Sequence, residues 1–332
     1  MTSSGAFRRP LFGGAKIVKL ASSLAIVAAL AFWSFAPGAA LAAGSSPAAW
    51  VSGHGTNAAG CGSLTNPCLT LQYTHDNIVA AGGLIAVLDS SDYGPLVIRK
   101  AISIVDDGGL AGIAVASGDA IDIQAGLNDA VLIKGLHLDG LGAGANGIKF
   151  LSGGTLSVVN CTIENMTSTG VSIIPSSDGV IVVANSTIAN NNGAGVYTSG
   201  DSSGSLTISL SNDKIINNGF SGGGYGVRLT GGQAAYQNAT IDNTLISGNG
   251  TGLSVEASGS NEVSAFSVSN NILNNVSSVN VTSGGARLAL EKTSIKSSYS
   301  GGIKNAGFIQ TFGDNAIADN VTGSGLSPVS LK

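Results

Sequence analysis

From Ile121 onward, apolar and polar residues alternate in short runs: Ile121/Ile123, Ile148/Phe150, Val171/Ile173, Val180/Val182 and Leu206/Ile208/Leu210. A two-residue period puts successive side chains on opposite faces of an extended chain, so each run reads as a strand with one buried face. The 3.6-residue spacing of a helical repeat does not occur here. One tetrad organises the runs: Asn160-Cys-Thr-Ile163, Asn185-Ser-Thr-Ile188, Asn212-Asp-Lys-Ile215, Asn243-Thr-Leu-Ile246 and Asn270-Asn-Ile-Leu273, with degenerate copies at Lys292-Thr-Ser-Ile295 and Asp314-Asn-Ala-Ile317. With Leu138 upstream, the apolar anchors Leu138, Ile163, Ile188, Ile215, Ile246, Leu273, Ile295 and Ile317 lie 25, 25, 27, 31, 27, 22 and 22 residues apart. A second phrase keeps step with the first: Gly147-Ile148, Gly170-Val171, Gly195-Val196, Gly226-Val227, Gly252-Leu253 and Gly302-Ile303, with Ser278-Val279 as a weaker copy. Two turn-marked strand starts per period describe one coil of a solenoid. Leucine-rich repeats share the period but need several fixed leucines per copy, whereas a parallel β-helix needs only inward-stacked aliphatic residues.

The turns carry their own signal. Asn165, Asn190, Asn191, Asn217, Asn218, Asn249, Asn275 and Asn320 follow the anchors, where a coil turns sharply through positive φ and stacked asparagines bond coil to coil. The N-x-S/T triplets at Asn165, Asn185 and Asn238 are read as part of this pattern rather than as glycosylation acceptors. An open solenoid exposes a sheet edge and needs a cap. Residues 68–81 read as a short amphipathic helix suited to that role, and residues 82–104 supply three short strands. The predicted fold is all-β: a single-stranded parallel β-helix of about ten coils, with a short N-terminal capping helix.

Composition adds the compartment. Arg8, Arg9, Lys16 and Lys19 precede an uncharged apolar run from Leu20 to Phe35, followed by Pro37, Gly38 and Ala40-Leu41-Ala42. This is the pattern of a cleavable secretory signal peptide, the rival being a retained membrane anchor. The predicted divisions are a signal peptide at 1–42, a disulfide loop and cap at 43–82, the β-helix at 83–320 and a C-terminal tail at 321–332. Beyond residue 42 the chain has eleven basic and nineteen acidic groups, a formal charge of −8. Nucleic acid is a poor partner for such a surface, and no membrane association is expected after cleavage. Cys61 and Cys68 flank a six-residue turn-rich segment and are expected to pair in an oxidising compartment, with Cys161 a buried thiol. No metal-ligand spacing occurs.

The cap segment, Gly82-Gly-Leu-Ile-Ala-Val-Leu-Asp89 and Asp92-Tyr-Gly-Pro-Leu-Val-Ile-Arg-Lys-Ala-Ile-Ser-Ile104 resemble the opening of secreted bacterial right-handed β-helix proteins of the pectate-lyase-like superfamily. Trp50-Val-Ser-Gly53 and the cysteine loop resemble a poorly characterised subgroup of it. The resemblance spans roughly residues 49–318 and implies a right-handed coil. Activity is open, because the superfamily includes lyases, polygalacturonases, epimerases, phage depolymerases and adhesins.

Polygalacturonase-like chemistry needs carboxylates ordered along successive coils. Asp106-Asp107 and Gly53-His54-Gly55 are present, but out of order and without the accompanying N-T-D and R-x-K segments. A lyase-like site needs acidic groups gathering Ca²⁺ beside a basic residue. The runner-up set for it is Asp119, Asp122, Asp139, Lys134 and Lys149, and only this alternative implies a cofactor. A better-defined object comes from stacking the residue after each Gly-Ile/Val phrase, which faces outward. Asp122, Lys149, Ser172, Tyr197, Arg228, Ser254, Asn280 and Lys304 then form a column with a rise of about 5 Å per coil. His137 is placed near it. A row mixing an aromatic platform with polar groups and cations suits a sugar chain. The expected role is non-catalytic recognition of a polysaccharide or cell-surface component by an exported protein. The alternatives are a polysaccharide lyase or hydrolase and a protein-binding adhesin.

Overall fold

Alternation along the chain becomes pairing between coils. The computed structural model describes residues 44–329 apart from 109–110, 200–203, 220–222, 232–235, 259–260 and 283. The predicted signal segment lies outside the described residues. Strands wind into three sheets of twelve, nine and ten strands, parallel in every strand pair described. One central coil runs from Gly179–Ala184 in the twelve-stranded sheet to Thr187–Ala189 in the nine-stranded sheet and Ala194–Ser199 in the ten-stranded sheet. The next uses Leu206–Ser211, Lys214–Ile216 and Tyr225–Thr230. Nine coils place a strand in all three sheets among the described residues, slightly fewer than expected. Sheet structure also exceeds the predicted bounds, starting at Ser46–Val51 and continuing through Val321–Gly323 and Ser327–Val329 into the segment predicted as a tail.

The anchors Leu138, Ile163, Ile188, Ile215 and Ile246 lie in direct register and are fully buried. At the fifth tetrad the sequence alignment is off by one. Ile272, not Leu273, pairs with Ile246 and then with Ile295. Ser269 takes the positive-φ position held in earlier coils by Asn160, Asn185, Asn212 and Asn243. The shift lets Asn270 turn inward, where its amide donates to Ile241 O and Ser267 Oγ at 2.6 and 2.9 Å.

The asparagines after the anchors form two columns, not one. Asn165, Asn190 and Asn217 have positive φ, where asparagine tolerates the left-handed turn. Asn191, Asn218, Asn249 and Asn275 are buried and form a ladder. The backbone and side-chain N–H groups of Asn191 both donate to Asn218 Oδ1, and those of Asn218 to Asn249 Oδ1. Asn238 belongs to neither column, lying exposed in the strand Gln237–Asp242. The glycines of the second phrase are needed for close approach. A Cβ on Gly195 would lie 2.6 Å from Ile215 Cγ2 and 2.7 Å from Gly226 O.

At the N-terminal end, the cap forms as predicted but is shorter: Leu71–Asn77, with Thr70 Oγ1 accepting from Tyr73 N. His75 is buried and accepts from Arg99 N through Nε2, and Lys100 Nζ donates to Val79 O at 2.6 Å. Burial lowers the pKa of both groups. Cys61 and Cys68 are bonded, and Cys161 is free and buried, its thiol pushed up to about 11 by desolvation.

Cys161 begins a column in which each backbone N–H donates to the side chain one coil on: Cys161 to Ser186, Ser186 to Asp213, Asp213 to Thr244 and Thr244 to Asn270. Asp213 Oδ2 is buried without a partner, and desolvation raises the carboxyl to about 6. Because the native state holds this proton more tightly than the unfolded chain, Asp213 costs stability as pH rises from about 4 to about 6. Asp213→Asn places a donor toward Val183 O, which is equivalent in register to the Ile241 O that Asn270 binds. The variant is expected to be more stable by roughly 1–3 kcal/mol at pH 8, the gain vanishing below about pH 4. Urea unfolding at the two pH values measures this, and a gain independent of pH would contradict the assignment.

Candidate functional site

A strand in a β-helix brings residues from successive coils into outward rows, and the predicted row is realised in the ten-stranded sheet. Asp122 pairs with Lys149, Lys149 with Ser172, Ser172 with Tyr197, Tyr197 with Arg228, Arg228 with Ser254, Ser254 with Asn280 and Asn280 with Lys304. Not all of it faces solvent freely, since Ser172 and Ser254 are buried.

At the middle of the row the chain inserts residues. The anchors Ile188, Ile215 and Ile246 are 27 and then 31 residues apart, against 25 for the two preceding intervals. There a cleft of about 250 Å³ is lined by Thr169, Asn192, Tyr197, Gly224, Tyr225 and Arg228, among others. The Arg228 guanidinium carbon lies 4.6 Å from the Tyr225 ring centroid and 5.8 Å from that of Tyr197, within cation–π range of both. Arg228 Nε and Nη2 donate to Glu256 Oε1 and Oε2 at 3.0 and 2.8 Å. Glu256 also accepts from Ser254 Oγ at 2.8 Å, and Ser254 Oγ accepts from Asn280 Nδ2. Glu256 holds the guanidinium above its ordinary pKa, so Arg228 is a fixed cation.

The sequence missed Tyr225 and Glu256. Strict alternation from Arg228 points Tyr225 inward, but Gly226 and Val227 are both buried. The pleat slips by one at the glycine, and Tyr225 joins Arg228 at the cleft. Glu256 sits two residues beyond Ser254 in the next strand, one step outside the row considered. The 31-residue spacing was the available signal.

The runner-up set assembles only in part. Lys149 Nζ lies 3.5 Å from Asp119 Oδ2, and Asp119 Oδ1 accepts from Asn146 N and Nδ2. Asp122 accepts from Gln124. Asp139 belongs to the nine-stranded sheet and accepts from Leu141 N and Asn165 Nδ2. Lys134 belongs to the twelve-stranded sheet and pairs with Asp107 at 2.6 Å. Asp119, Asp122 and Lys149 thus lie together at the ten-stranded sheet, whereas Asp139 and Lys134 stand on the other two sheets. His137 also lies away from the row, in the nine-stranded sheet, with Nε2 2.9 Å from Glu164 Oε1. Asp106 accepts from Gly108 N and Ala111 N, holding a turn, and Gly53 N donates to Asp89.

These features define a parallel β-helix with a lateral cleft that sets two tyrosines beside an ion pair. The family model described as a right handed beta helix region matches residues 87–236. The crystal structure of pectate lyase Pel9A superposes with a TM-score of 0.63 at 14% identity, covering 86% of this chain and 79% of that one. The chain thus has a right-handed parallel β-helix fold, and it shares that fold with the lyase. No curated protein matched its sequence.

Proposed function

We propose that the protein is exported and binds a polysaccharide, without cleaving it, in the cleft at Tyr197, Tyr225 and Arg228. The observation that carries this reading is the cleft itself: two half-buried tyrosines around one fixed guanidinium. Tyrosine faces stack on the apolar faces of sugar rings while neighbouring polar groups bond their hydroxyls. The fold shared with a pectate lyase is consistent with a carbohydrate-related role. The leader pattern and the Cys61–Cys68 disulfide support export.

The groups at the cleft favour binding without cleavage. Hydrolysis needs a carboxylate pair across the scissile bond, whereas among the described residues the cleft has one carboxylate beside it, Glu256, and both of its oxygens accept from Arg228. Abstraction of a proton needs a base that can lose its own, and Glu256 holds Arg228 protonated.

Affinity electrophoresis of the purified protein through gels containing individual polysaccharides tests the reading. Retardation by at least one is expected, with Tyr225→Ala weakening it about tenfold or more. New unsaturated or reducing ends in the polysaccharide would overturn the non-catalytic reading.

A further inference from the structure

We propose that the cleft selects uncharged glycans and that Glu256 is the residue that sets this selectivity; the inference rests on the reading of the cleft as a glycan site. The charged groups there are engaged with each other, while the uncharged polar groups remain available. Arg228 donates to both oxygens of Glu256, and Ser254 fixes that carboxylate in turn. Lys149, three coils before Arg228 in the same row, faces Asp119. By contrast, Tyr197, Tyr225 and Asn192 line the cleft, and among the described residues the hydroxyls of the tyrosines and the side-chain amide of Asn192 make no hydrogen bond. They are suited to sugar hydroxyls, which donate and accept without charge.

An acidic sugar entering this cleft has two options, and both are unfavourable. It can displace Glu256 from Arg228, breaking a two-point ion pair and stranding a half-buried carboxylate. Otherwise it must lay its own carboxylate beside Glu256, where like charges repel. Glu256 thus acts as a built-in competitor, and discrimination comes from this repulsive element as much as from the tyrosines. Lys304 stands three coils beyond Arg228 in the row, roughly 14 Å away, so it does not rescue an acid bound between the tyrosines.

Replacing Glu256 with glutamine removes the charge and keeps a side-chain oxygen for Ser254. Affinity electrophoresis and calorimetry would use galactomannan, xyloglucan and mixed-linkage β-glucan as neutral probes, with polygalacturonate and alginate as acidic ones. The wild-type protein is expected to bind at least one neutral probe, with affinity unchanged across a salt series. The acidic probes should not bind. Glu256→Gln, checked for native thermal unfolding, should gain about tenfold or more toward an acidic probe, in a salt-sensitive manner. Wild-type preference for an acidic probe, lost on Tyr225→Ala, would overturn the selectivity while leaving the glycan site standing. Neutral binding with no acidic gain in Glu256→Gln would overturn the role of Glu256. Failure of every probe, or binding indifferent to Tyr225→Ala, would overturn the site itself. The wild-type salt series tests selectivity even if Glu256→Gln does not fold.

Discussion

Asn218→Ala is expected to destabilise the protein by about 2–5 kcal/mol, because at least two buried groups lose their partners at about 1–3 kcal/mol each. Asn218 is fully buried and joins three coils. Its Oδ1 accepts from Asn191 N and Asn191 Nδ2, and its Nδ2 donates to Ile188 O and Asn249 Oδ1. Alanine supplies none of these, and the position is too enclosed for water to replace them freely. Urea unfolding would measure the loss against Asn238→Ala, an exposed asparagine expected to change stability by no more than about 0.5 kcal/mol. Equal midpoints for the two variants would show that the ladder contributes nothing beyond ordinary solvated amides.

A comparable loss, about 2–5 kcal/mol, is expected for Ile215→Ala. Ile215 stacks directly between Ile188 and Ile246 and has no solvent exposure. The cavity cannot close from the neighbouring sheet, since the residue facing Ile215 Cγ2 is Gly195, which has no side chain to move. Arg228→Ala should cost less, about 1 kcal/mol, because its ion pair is half-exposed and screened. It should still exceed a bare surface change, because Glu256 loses its partner. The same unfolding measurement compares the two variants, and a loss at Arg228 equal to that at Ile215 would contradict the inward and outward register.

The solenoid was legible because its inner surface is written with a two-residue period and repeated coil after coil. Ile163, Ile188, Ile215 and Ile246 could be aligned without a structure, and the outward row from Asp122 to Lys304 follows from the same register. The reading failed where the backbone departs from simple alternation. At Ser269-Asn270-Asn271-Ile272, alignment by the first asparagine shifted the anchor by one, because serine had replaced asparagine at the positive-φ turn. At Gly226 the pleat slips, which hid Tyr225. The runner-up charges Asp119, Asp139 and Lys134 are neighbours in sequence, but a coil turns through three sheets between them, so proximity along the chain did not become proximity in space.

A bound glycan is expected to lie against Tyr197 and Tyr225 on the ten-stranded sheet. A crystal structure of the protein soaked with a short oligosaccharide of the best-binding polysaccharide tests this most directly. The expected result is a sugar ring within stacking distance of one or both tyrosines, with the Arg228–Glu256 pair intact beside it. A sugar bound on another face of the solenoid, with this cleft empty, would contradict it.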